Sequence, residues 1–346
     1  MGNPWSKIIR FGGLGVLLAL GLMGCGGPGT PEPAATVPPD DDRSGLSADA
    51  AATLSSLEKV DEYPLYLMRY SGSYQDFLNH PVPPQGFSCS LFAALGDPES
   101  RLYGRNFDWD FSPALLLFTD PPDGYASVSL VDLTFLDIAP AAAGALTDLP
   151  LAGRTALLSA PSMPFDGMNE YGLAVGMAAV DSSRATDDPG KATIGSIGII
   201  REMLDHARNV DEALALMEQY NIDFTGGPAI HYLLADAGGN AALVEFIGGE
   251  MRVLPNTEPW HLATNFLCSA TEGDGGCWRY PILRQRLSES GGVLDPQGAL
   301  DLLAEVSQPG STQWSAVYDL STGRVRVVMG REYATVHEFD LEMARP

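Results

Sequence analysis

GFSCSLF at residues 86–92 and YGRNFDW at residues 103–109 are separated by the turn sequence GDPES at residues 96–100. Tight turns favour Gly, Asp, Pro and Ser, and an apolar run lies on each side of this sequence. The pattern predicts a β-hairpin with strands at Cys89–Leu95 and Arg101–Phe107. The hairpin brings a thiol, a guanidinium and a carboxylate close together, which indicates chemistry as well as packing.

The chain of 346 residues is strongly acidic, with 44 aspartates and glutamates against 20 lysines and arginines and a formal net charge of −24. Nucleic-acid binding and binding to anionic lipid both require a cationic surface. The composition therefore argues against these two classes of partner. The length is sufficient for one large domain or two ordinary ones with a substantial apolar core.

Residues 1–25 have the pattern of a targeting segment, in which two basic residues precede the apolar run 11–22. The sequence LMGC at 22–25 resembles a bacterial lipobox, which implies that Cys25 is lipidated and becomes the first residue. An uncleaved membrane anchor is the alternative, although the apolar run is short for a span. We therefore expect an extracytoplasmic, membrane-anchored lipoprotein.

The composition divides the rest of the chain into three parts. Residues 26–45 are rich in Pro, Gly, Ala and Thr and predict a flexible linker. Residues 46–88 form a pre-segment whose tyrosines and leucines favour docking on the main body. Its last part, HPVPPQG at 80–86, predicts a stiff, exposed linker. Residues 89–346 form the main domain.

The order of the predicted elements is strands, helices, strands, helices and strands, without a regular alternation of strand and helix. This order favours an α+β domain with largely antiparallel sheets. No GxGxxG or GxxxxGK[ST] motif is present in the right context, so no nucleotide cofactor is indicated. The predicted elements are a helix through Leu54, Leu57 and Val60, a strand-like run 63–70, hairpins 114–118 with 126–135 and 164–180, helices 193–208 and 210–220, a meander 231–236, 241–246 and 251–254, a strand 261–265, helices 278–288 and 296–306, and a hairpin 315–319 with 324–328.

The cysteines and histidines do not predict a metal site. No two cysteines have CxxC spacing, and the five histidines are scattered along the chain. Cys268 and Cys277 flank the glycine-rich loop 272–276 and could form a disulfide in an oxidising compartment. Two separate thiols are the alternative.

Cys89 lacks the usual base of a cysteine nucleophile. The chain has no GxSxG elbow, and His231 and His261 are expected to make buried structural hydrogen bonds. An N-terminal nucleophile instead uses its own α-amine as the base. That amine titrates at about pH 7.7–8, which suits general-base catalysis. Such a role requires cleavage of the Ser88–Cys89 bond, and the linker before it fits that requirement.

From Cys89 to about Gly330 the chain resembles the choloylglycine hydrolase and penicillin acyltransferase group of N-terminal-nucleophile hydrolases. The resemblance implies an αββα sandwich, in which two largely antiparallel sheets lie between helical layers, and hydrolysis of the C–N bond of linear amides. It depends on four signatures in chain order: Cys89 with Arg105 and Asp108 at 16 and 19 residues after it, NEYGLAV at 169–175, HYLLAD at 231–236 through Glu245 with LATN at 262–265, and WRY at 278–280.

The resemblance also implies roles for five residues. The thiol of Cys89 would attack the amide carbonyl, and its freed amine would carry the proton to the leaving amine. Asp108 would orient that amine, and Arg105 would lower the pKa of the thiol. Asn265 would donate to the oxyanion, and Arg279 would complete the charge around the site.

One position departs from the family pattern. Ala179 stands where bile-salt hydrolases have an oxyanion-contacting Asn, so that side-chain donor is absent. Apolar residues in the region that shapes the acyl pocket in relatives suggest a fatty, aryl or steroid acyl group; these are Trp109, Phe111, Leu115–Phe118 and Phe135.

The expected activity is hydrolysis of a small-molecule N-acyl amide, without a cofactor, by an enzyme that matures by cleavage of Ser88–Cys89. Residues 46–80 are expected to stay docked as a small subunit, which would keep the enzyme at the membrane. Two alternatives remain open at this point. One is acyl transfer to an amine, as in penicillin acyltransferase, and the other is a non-catalytic binding lipoprotein that keeps the fold.

Overall fold

The computed structural model describes residues 45–74, 88–139, 142–180, 186–225 and 227–344. The predicted targeting segment 1–25 with Cys25, the linker to residue 44, and residues 75–87 of the pre-segment lie outside the described residues. Within the described parts, no helix has the length and apolar composition needed to cross a bilayer.

Short strands and helices follow one another in the irregular order expected from the sequence. Further 3-10 helices span Leu133–Leu136, Ala143–Asp148 and Leu151–Ser162. The strands and α-helices are α1 (Ala48–Ser55), β1 (Glu58–Asp61), β2 (Leu65–Arg69), β3 (Ser88–Ala94), β4 (Leu102–Asp108), β5 (Ala114–Thr119), β6 (Ser127–Asp132), β7 (Asp166–Asn169), β8 (Ala174–Ala179), β9 (Ala192–Gly195), α2 (Gly198–His206), α3 (Val210–Met217), β10 (Tyr220–Asp223), β11 (Ile230–Ala235), β12 (Ala241–Ile247), β13 (Glu250–Pro255), β14 (Trp260–Ala263), α4 (Arg279–Ser290), α5 (Pro296–Glu305), β15 (Thr312–Asp319), β16 (Arg324–Met329) and β17 (His337–Asp340).

Two large sheets form the centre of the described structure. One has the strand order β1-β2-β5-β6-β7-β8-β11-β12-β13, and the other has the order β14-β3-β4-β15-β16-β17. Neighbours within these two sheets are antiparallel except β2 and β5, which are parallel. Strand β3 packs on β8 across the two sheets, α2 lies against β7 and β8, and α4 and α5 lie against the other sheet. This arrangement confirms the predicted αββα sandwich.

The two sheets approach closely where Gly176 of β8 faces the hairpin β3–β4. A Cβ atom at Gly176 would lie 2.6 Å from the hydroxyl oxygen of Tyr103 and 2.7 Å from a methyl carbon of Leu91. Because the interior between the sheets is packed at crystal-like density, only glycine fits at this position without displacing its neighbours.

Several predicted boundaries are wrong, and three of them have a clear local cause. The helix α1 ends at Ser55, because strand β1 begins at Glu58 and pairs with β2. The helix predicted from residue 193 begins at Gly198, because Thr193 and Ile194 are β-branched and belong to β9, which pairs with β10. The strand predicted to residue 135 ends at Asp132, whose side chain caps the following 3-10 helix. These corrections shift element ends without changing the architecture.

The described part of the pre-segment is an integral part of the larger sheet. Strand β2 lies beside β5, and Leu65, Tyr66 and Met68 are fully buried. The hydroxyl of Tyr66 donates to the carbonyl oxygen of Ala143 at 2.6 Å. The described residues of the pre-segment therefore dock on the main body, as its tyrosines and leucines led us to expect.

Candidate active site

The register of the hairpin β3–β4 places its polar side chains on two different faces. Cys89 pairs with Phe107, and Leu91 pairs with Arg105. Successive side chains of a strand point to opposite faces, so Cys89 and Arg105 share one face as diagonal neighbours. Asp108 lies on the other face. The first face packs on the nine-stranded sheet, and the second faces α4 and α5.

Arg105 joins the thiol to a buried carboxylate. Its Nη2 donates to the Sγ of Cys89 at 3.2 Å, and its Nη1 lies 2.7 Å from an Oδ2 oxygen of Asp166. Nη1 also donates to the carbonyl oxygen of Phe165, and the Tyr318 hydroxyl donates to the second oxygen of Asp166. Both side chains of the ion pair are fully buried, so the guanidinium is held in one orientation beside the sulfur.

Burial and charge act in opposite directions on this cluster. Burial raises the pKa of the Cys89 thiol above its ordinary value, and the Arg105 guanidinium opposes that rise. Burial alone would lower the pKa of Arg105, but the neighbouring Cys89 and Asp166 groups raise it above its ordinary value. Arg105 is therefore a permanent cation, and it is the largest influence that favours a thiolate at Cys89.

Asn265 contacts the main-chain nitrogen of Cys89. The N–H of Cys89 donates to Oδ1 of Asn265 at 2.8 Å, and Nδ2 of Asn265 donates to the carbonyl oxygen of Ala179 at 2.8 Å. The carboxamide oxygen thus orients the nitrogen of the nucleophile. Donation to an oxyanion, the role implied by the resemblance, stays a prediction. Ala179 contributes its main-chain carbonyl oxygen to this hydrogen-bond network, and its methyl side chain cannot form a hydrogen bond.

Arg279, the first residue of α4, binds the main chain of the nucleophile from the helical side. Its Nη1 donates to the carbonyl oxygen of Cys89 and, at 2.9 Å, to the hydroxyl oxygen of Ser90. Its Nη2 donates to Oδ1 of Asn265 at 2.8 Å. Arg279 also lies 3.5 Å from Asp108. The guanidinium of Arg279 therefore connects Asn265 and Asp108, the two other predicted site residues that do not contact the sulfur.

Asp108 is buried among hydrogen-bond donors on the helical side of the hairpin. Its Oδ2 accepts from Nε2 of Gln308 at 2.6 Å, and its Oδ1 accepts from the hydroxyl of Thr312. Burial raises the pKa of this carboxyl, while the donors and Arg279 limit the rise. Its contacts are thus with Arg279, Gln308 and Thr312, and the predicted orientation of the Cys89 amine by Asp108 stays a prediction.

Two further cysteines and two histidines that the sequence singled out lie within the described residues. Cys268 and Cys277 are free thiols, so the disulfide that the sequence allowed is not formed, and burial raises the pKa of Cys268 to about 12. His231 and His261 each contact a main-chain carbonyl oxygen, at 2.7 Å and 2.9 Å. The expectation of structural hydrogen bonds for both histidines is confirmed.

The residues predicted to shape an acyl pocket differ in their exposure and in their contacts. Leu115–Phe118 is buried within β5, whereas Phe111 is 43% exposed. Phe135 packs edge-on against Phe165 at 4.9 Å between ring centroids, and Phe165 packs against Phe107 at 5.4 Å. This aromatic row leads from the 3-10 helix at 133–136 to the strand that carries Arg105.

Sequence reasoning missed Asp166, Gln308 and Thr312. Asp166 did have a signal, because it is a carboxylate at the start of a predicted strand between apolar neighbours. Gln308 lies in the connection between α5 and β15, Thr312 is the first residue of β15, and neither has a motif that distinguishes it. Their contact with Asp108 follows only from the pairing of β15 with β4.

Comparisons with known proteins give one family model and several solved structures. The family model of acyl-coenzyme A:6-aminopenicillanic acid acyl-transferase matches residues 154–266, a segment that contains Asp166 and Asn265. No significant match was found among curated protein sequences.

Two solved structures share the fold at low sequence identity. A mutant of the conjugated bile acid hydrolase from Clostridium perfringens is 15% identical, with a TM-score of 0.54 over 73% of this chain and 92% of that one. Penicillin V acylase from Agrobacterium tumefaciens is 18% identical, with a TM-score of 0.51 over 73% of this chain and 86% of that one. At these identities the likeness establishes the fold.

Proposed function

We propose that this chain, which belongs to the penicillin acyltransferase and choloylglycine hydrolase family, hydrolyses the C–N bond of linear amides with Cys89 as an N-terminal nucleophile. The observation that carries the proposal is the position of Arg105 between the sulfur of Cys89 and the buried Asp166. A fully buried cation held at 3.2 Å from a thiol stabilises the thiolate, which is the reactive form of cysteine.

The proposed reaction begins after cleavage of Ser88–Cys89 frees the α-amine of Cys89. The amine takes the thiol proton, the thiolate attacks the amide carbonyl carbon, and the amine gives the proton to the leaving nitrogen. Water then hydrolyses the thioester and releases the acid. Arg105 stabilises the thiolate, Asn265 orients the amine, and Arg279 holds the carbonyl oxygen of Cys89.

Two features of the uncut chain support a requirement for cleavage. Ser88 and Cys89 are consecutive residues of β3, so the nitrogen of Cys89 is an amide and cannot accept a proton. The side chain of Cys89 is also fully buried. The chain as encoded is therefore a precursor in this proposal, without a base and without access for the substrate.

We also propose that the pre-segment stays bound after cleavage and keeps the enzyme at an extracytoplasmic membrane face through a lipidated Cys25. The parallel pairing of β2 with β5 and the buried Tyr66 support retention. Washed membranes that carried both fragments would agree with this proposal. Mature protein that left the membrane without its pre-segment would contradict it.

The substrate class is an N-acyl amide with an apolar acyl group. The two structural neighbours are named for hydrolysis of conjugated bile acids and of penicillin V, both of which are amides. The matched family model is named for acyl transfer to 6-aminopenicillanic acid. Transfer to an acceptor amine is therefore the second candidate, because the same thioester can be attacked by an amine instead of water.

The first experiment is intact-mass analysis and N-terminal sequencing of the purified protein. We expect a mature chain that begins at Cys89, no cleavage in Cys89→Ala, and normal cleavage in the matched control Cys277→Ala. A wild-type chain that always begins at Cys25 would contradict the proposal and favour a binding lipoprotein. Product analysis with N-acyl amides, with and without an added amine, then separates hydrolysis from transfer.

A further inference from the structure

Two buried polar side chains on neighbouring strands lie behind Asn265. His231 is in β11 and Glu245 is in β12, and the pairing of Tyr232 with Val244 places them side by side. Both are fully buried, and Nδ1 of His231 lies 3.6 Å from an oxygen of Glu245. Burial of a carboxylate and an imidazole costs free energy unless both form hydrogen bonds. Their hydrogen-bond partners therefore indicate which part of the structure they position.

Glu245 binds the main chain that follows Asn265. Its Oε1 accepts from the N–H of Cys268 at 2.5 Å, and its Oε2 accepts from the N–H of Ser269 at 2.9 Å and from the Ser269 hydroxyl. Although burial alone would raise the pKa of Glu245, the neighbouring His231 and the bonds from Ser269 and Cys268 lower it below its ordinary value. The carboxylate is therefore charged and makes charge-assisted bonds to two successive amides.

His231 binds the main chain that precedes Asn265. Its Nε2 donates to the carbonyl oxygen of Thr264 at 2.7 Å. The residue between these two attachments is the one whose carboxamide accepts from the nitrogen of Cys89 and donates to Ala179. The segment after β14 is thus fixed one residue before Asn265 and three and four residues after it.

We propose that His231 and Glu245 are positioning residues for Asn265, which hold its carboxamide where it orients the amine of Cys89. This inference rests on the proposed function. Loss of either attachment lets the segment 264–269 move, and a displacement of about 1 Å in a catalytic group can reduce a rate by about 100-fold. Both side chains bond to the main chain of the segment 264–269, so we expect their loss to act on kcat and to leave KM nearly unchanged.

The chain offers a matched control for each variant. His261, like His231, contacts a main-chain carbonyl oxygen through Nε2, but that oxygen belongs to Leu254. Asp236, like Glu245, is a buried carboxylate that accepts from two main-chain amides, but these belong to Val210 and Asn240. His261→Gln and Asp236→Asn therefore remove equivalent bonds without touching the segment around Asn265.

The experiment compares kcat, KM and thermal stability of the cleaved enzyme for these variants with an N-acyl amide substrate. We expect His231→Gln and Glu245→Gln to lower kcat by about 10- to 100-fold with KM within about twofold. The controls should lose comparable stability and keep kcat. Equal losses of kcat in variants and controls would overturn the inference and leave a structural role.

A double-mutant cycle with Asn265→Ala gives the decisive comparison. If His231 and Glu245 act through Asn265, Glu245→Gln has little further effect on kcat once Asn265 is truncated, because coupled residues are not additive. Multiplicative losses would overturn the inference. Should Glu245→Gln fail to fold, His231→Gln carries the same cycle.

Failure of the proposed function has a different result. A wild-type enzyme that is cut at Cys89 but hydrolyses no amide contradicts the function alone. The positioning role is then measured by the rate at which iodoacetamide alkylates Cys89, which should change in His231→Gln and Glu245→Gln and stay constant in the controls. A constant rate in all four would overturn the inference.

Discussion

Arg105→Met tests the electrostatic basis of the site, because it removes the cation beside the thiol and leaves a side chain of similar length. In the wild type Nη2 of Arg105 lies 3.2 Å from the sulfur of Cys89, and both groups are fully buried. The change should raise the pKa of the thiol, since burial already raises it and Arg105 is the main opposing influence.

The size of the shift can be estimated from this distance. Two unit charges 3.2 Å apart interact by roughly 5 kcal/mol at an effective dielectric constant of about 20. That energy corresponds to nearly 4 pKa units at about 1.36 kcal/mol per unit. Loss of the guanidinium also removes the cation that opposes the rise of the Asp166 pKa by burial, so the carboxyl of Asp166 is more readily protonated and this offsets part of the effect. We therefore expect a net rise of about 1–3 units.

Stability must be separated from this effect. Arg105→Met leaves the carboxylate of Asp166 buried without its cation, which typically costs about 3–5 kcal/mol of unfolding free energy. The double variant Arg105→Met/Asp166→Asn removes that unpaired charge. Its matched reference is Asp166→Asn, so that the two proteins differ only at residue 105.

The assay is the rate of alkylation of the cleaved enzyme by iodoacetamide between about pH 5 and pH 10, because only the thiolate reacts. Both proteins lack the carboxylate of residue 166 and therefore its offset, so the midpoint should be about 2–4 units higher in the double variant than in Asp166→Asn. Arg105→Lys should lie between the wild type and Arg105→Met, since lysine keeps the charge but cannot bridge both partners. Midpoints within about half a unit, in proteins that remain folded, would refute the assigned role of Arg105.

Two further predictions concern stability. Burial raises the pKa of Asp132 from 3.8 to about 6, so its charged form destabilises the fold above that pH, and the unfolding free energy should recover by up to about 3 kcal/mol between pH 6 and pH 4. Asp132→Asn keeps the acceptor for the N–H of Thr134, so it should be more stable than the wild type at pH 7 and lose this difference by pH 4 in chemical denaturation. An equal pH dependence of the two proteins would contradict the prediction. Gly176→Ala should lower the unfolding free energy by about 1–3 kcal/mol, because the new methyl meets Tyr103 and Leu91. Gly195→Ala, with nothing within 4 Å of the new Cβ, is its control, and equal stabilities would count against the close sheet contact.

The architecture and the hairpin could be predicted from the sequence because they depend on local patterns. Turn residues separate two apolar runs at residues 96–100, and the strands pair there as expected. The resemblance predicted the sandwich, which is confirmed, and a family model of the predicted group matches residues 154–266. The errors are at element ends, where pairing of β9 with β10 and capping by Asp132 overrode the local pattern.

The partners of the predicted residues could not be found in this way. Asp166 reaches Arg105 because the two sheets pack face to face, and no local pattern specifies which strand of the second sheet lies above β4. The separation of Arg105 and Asp108 onto two faces, however, could have been predicted from the sequence. Arg105 and Asp108 are three residues apart on one strand, so the period of two already places them on opposite faces. Only Arg105 can share the face of the sulfur.

This separation of faces accounts for the two states of Cys89 in the proposed mechanism. The thiol points between the sheets, where Arg105, itself paired with Asp166, donates to it. The nitrogen of Cys89 lies in the strand itself. There its N–H donates a hydrogen bond to Oδ1 of Asn265, which belongs to the segment after β14. The hydrogen bond from Arg105 to the sulfur is thus already formed before Ser88–Cys89 is cut. In the proposed mechanism, cleavage changes the nitrogen from an amide to an amine. The fold therefore prepares the nucleophile in advance and makes the base the one group that cleavage must supply.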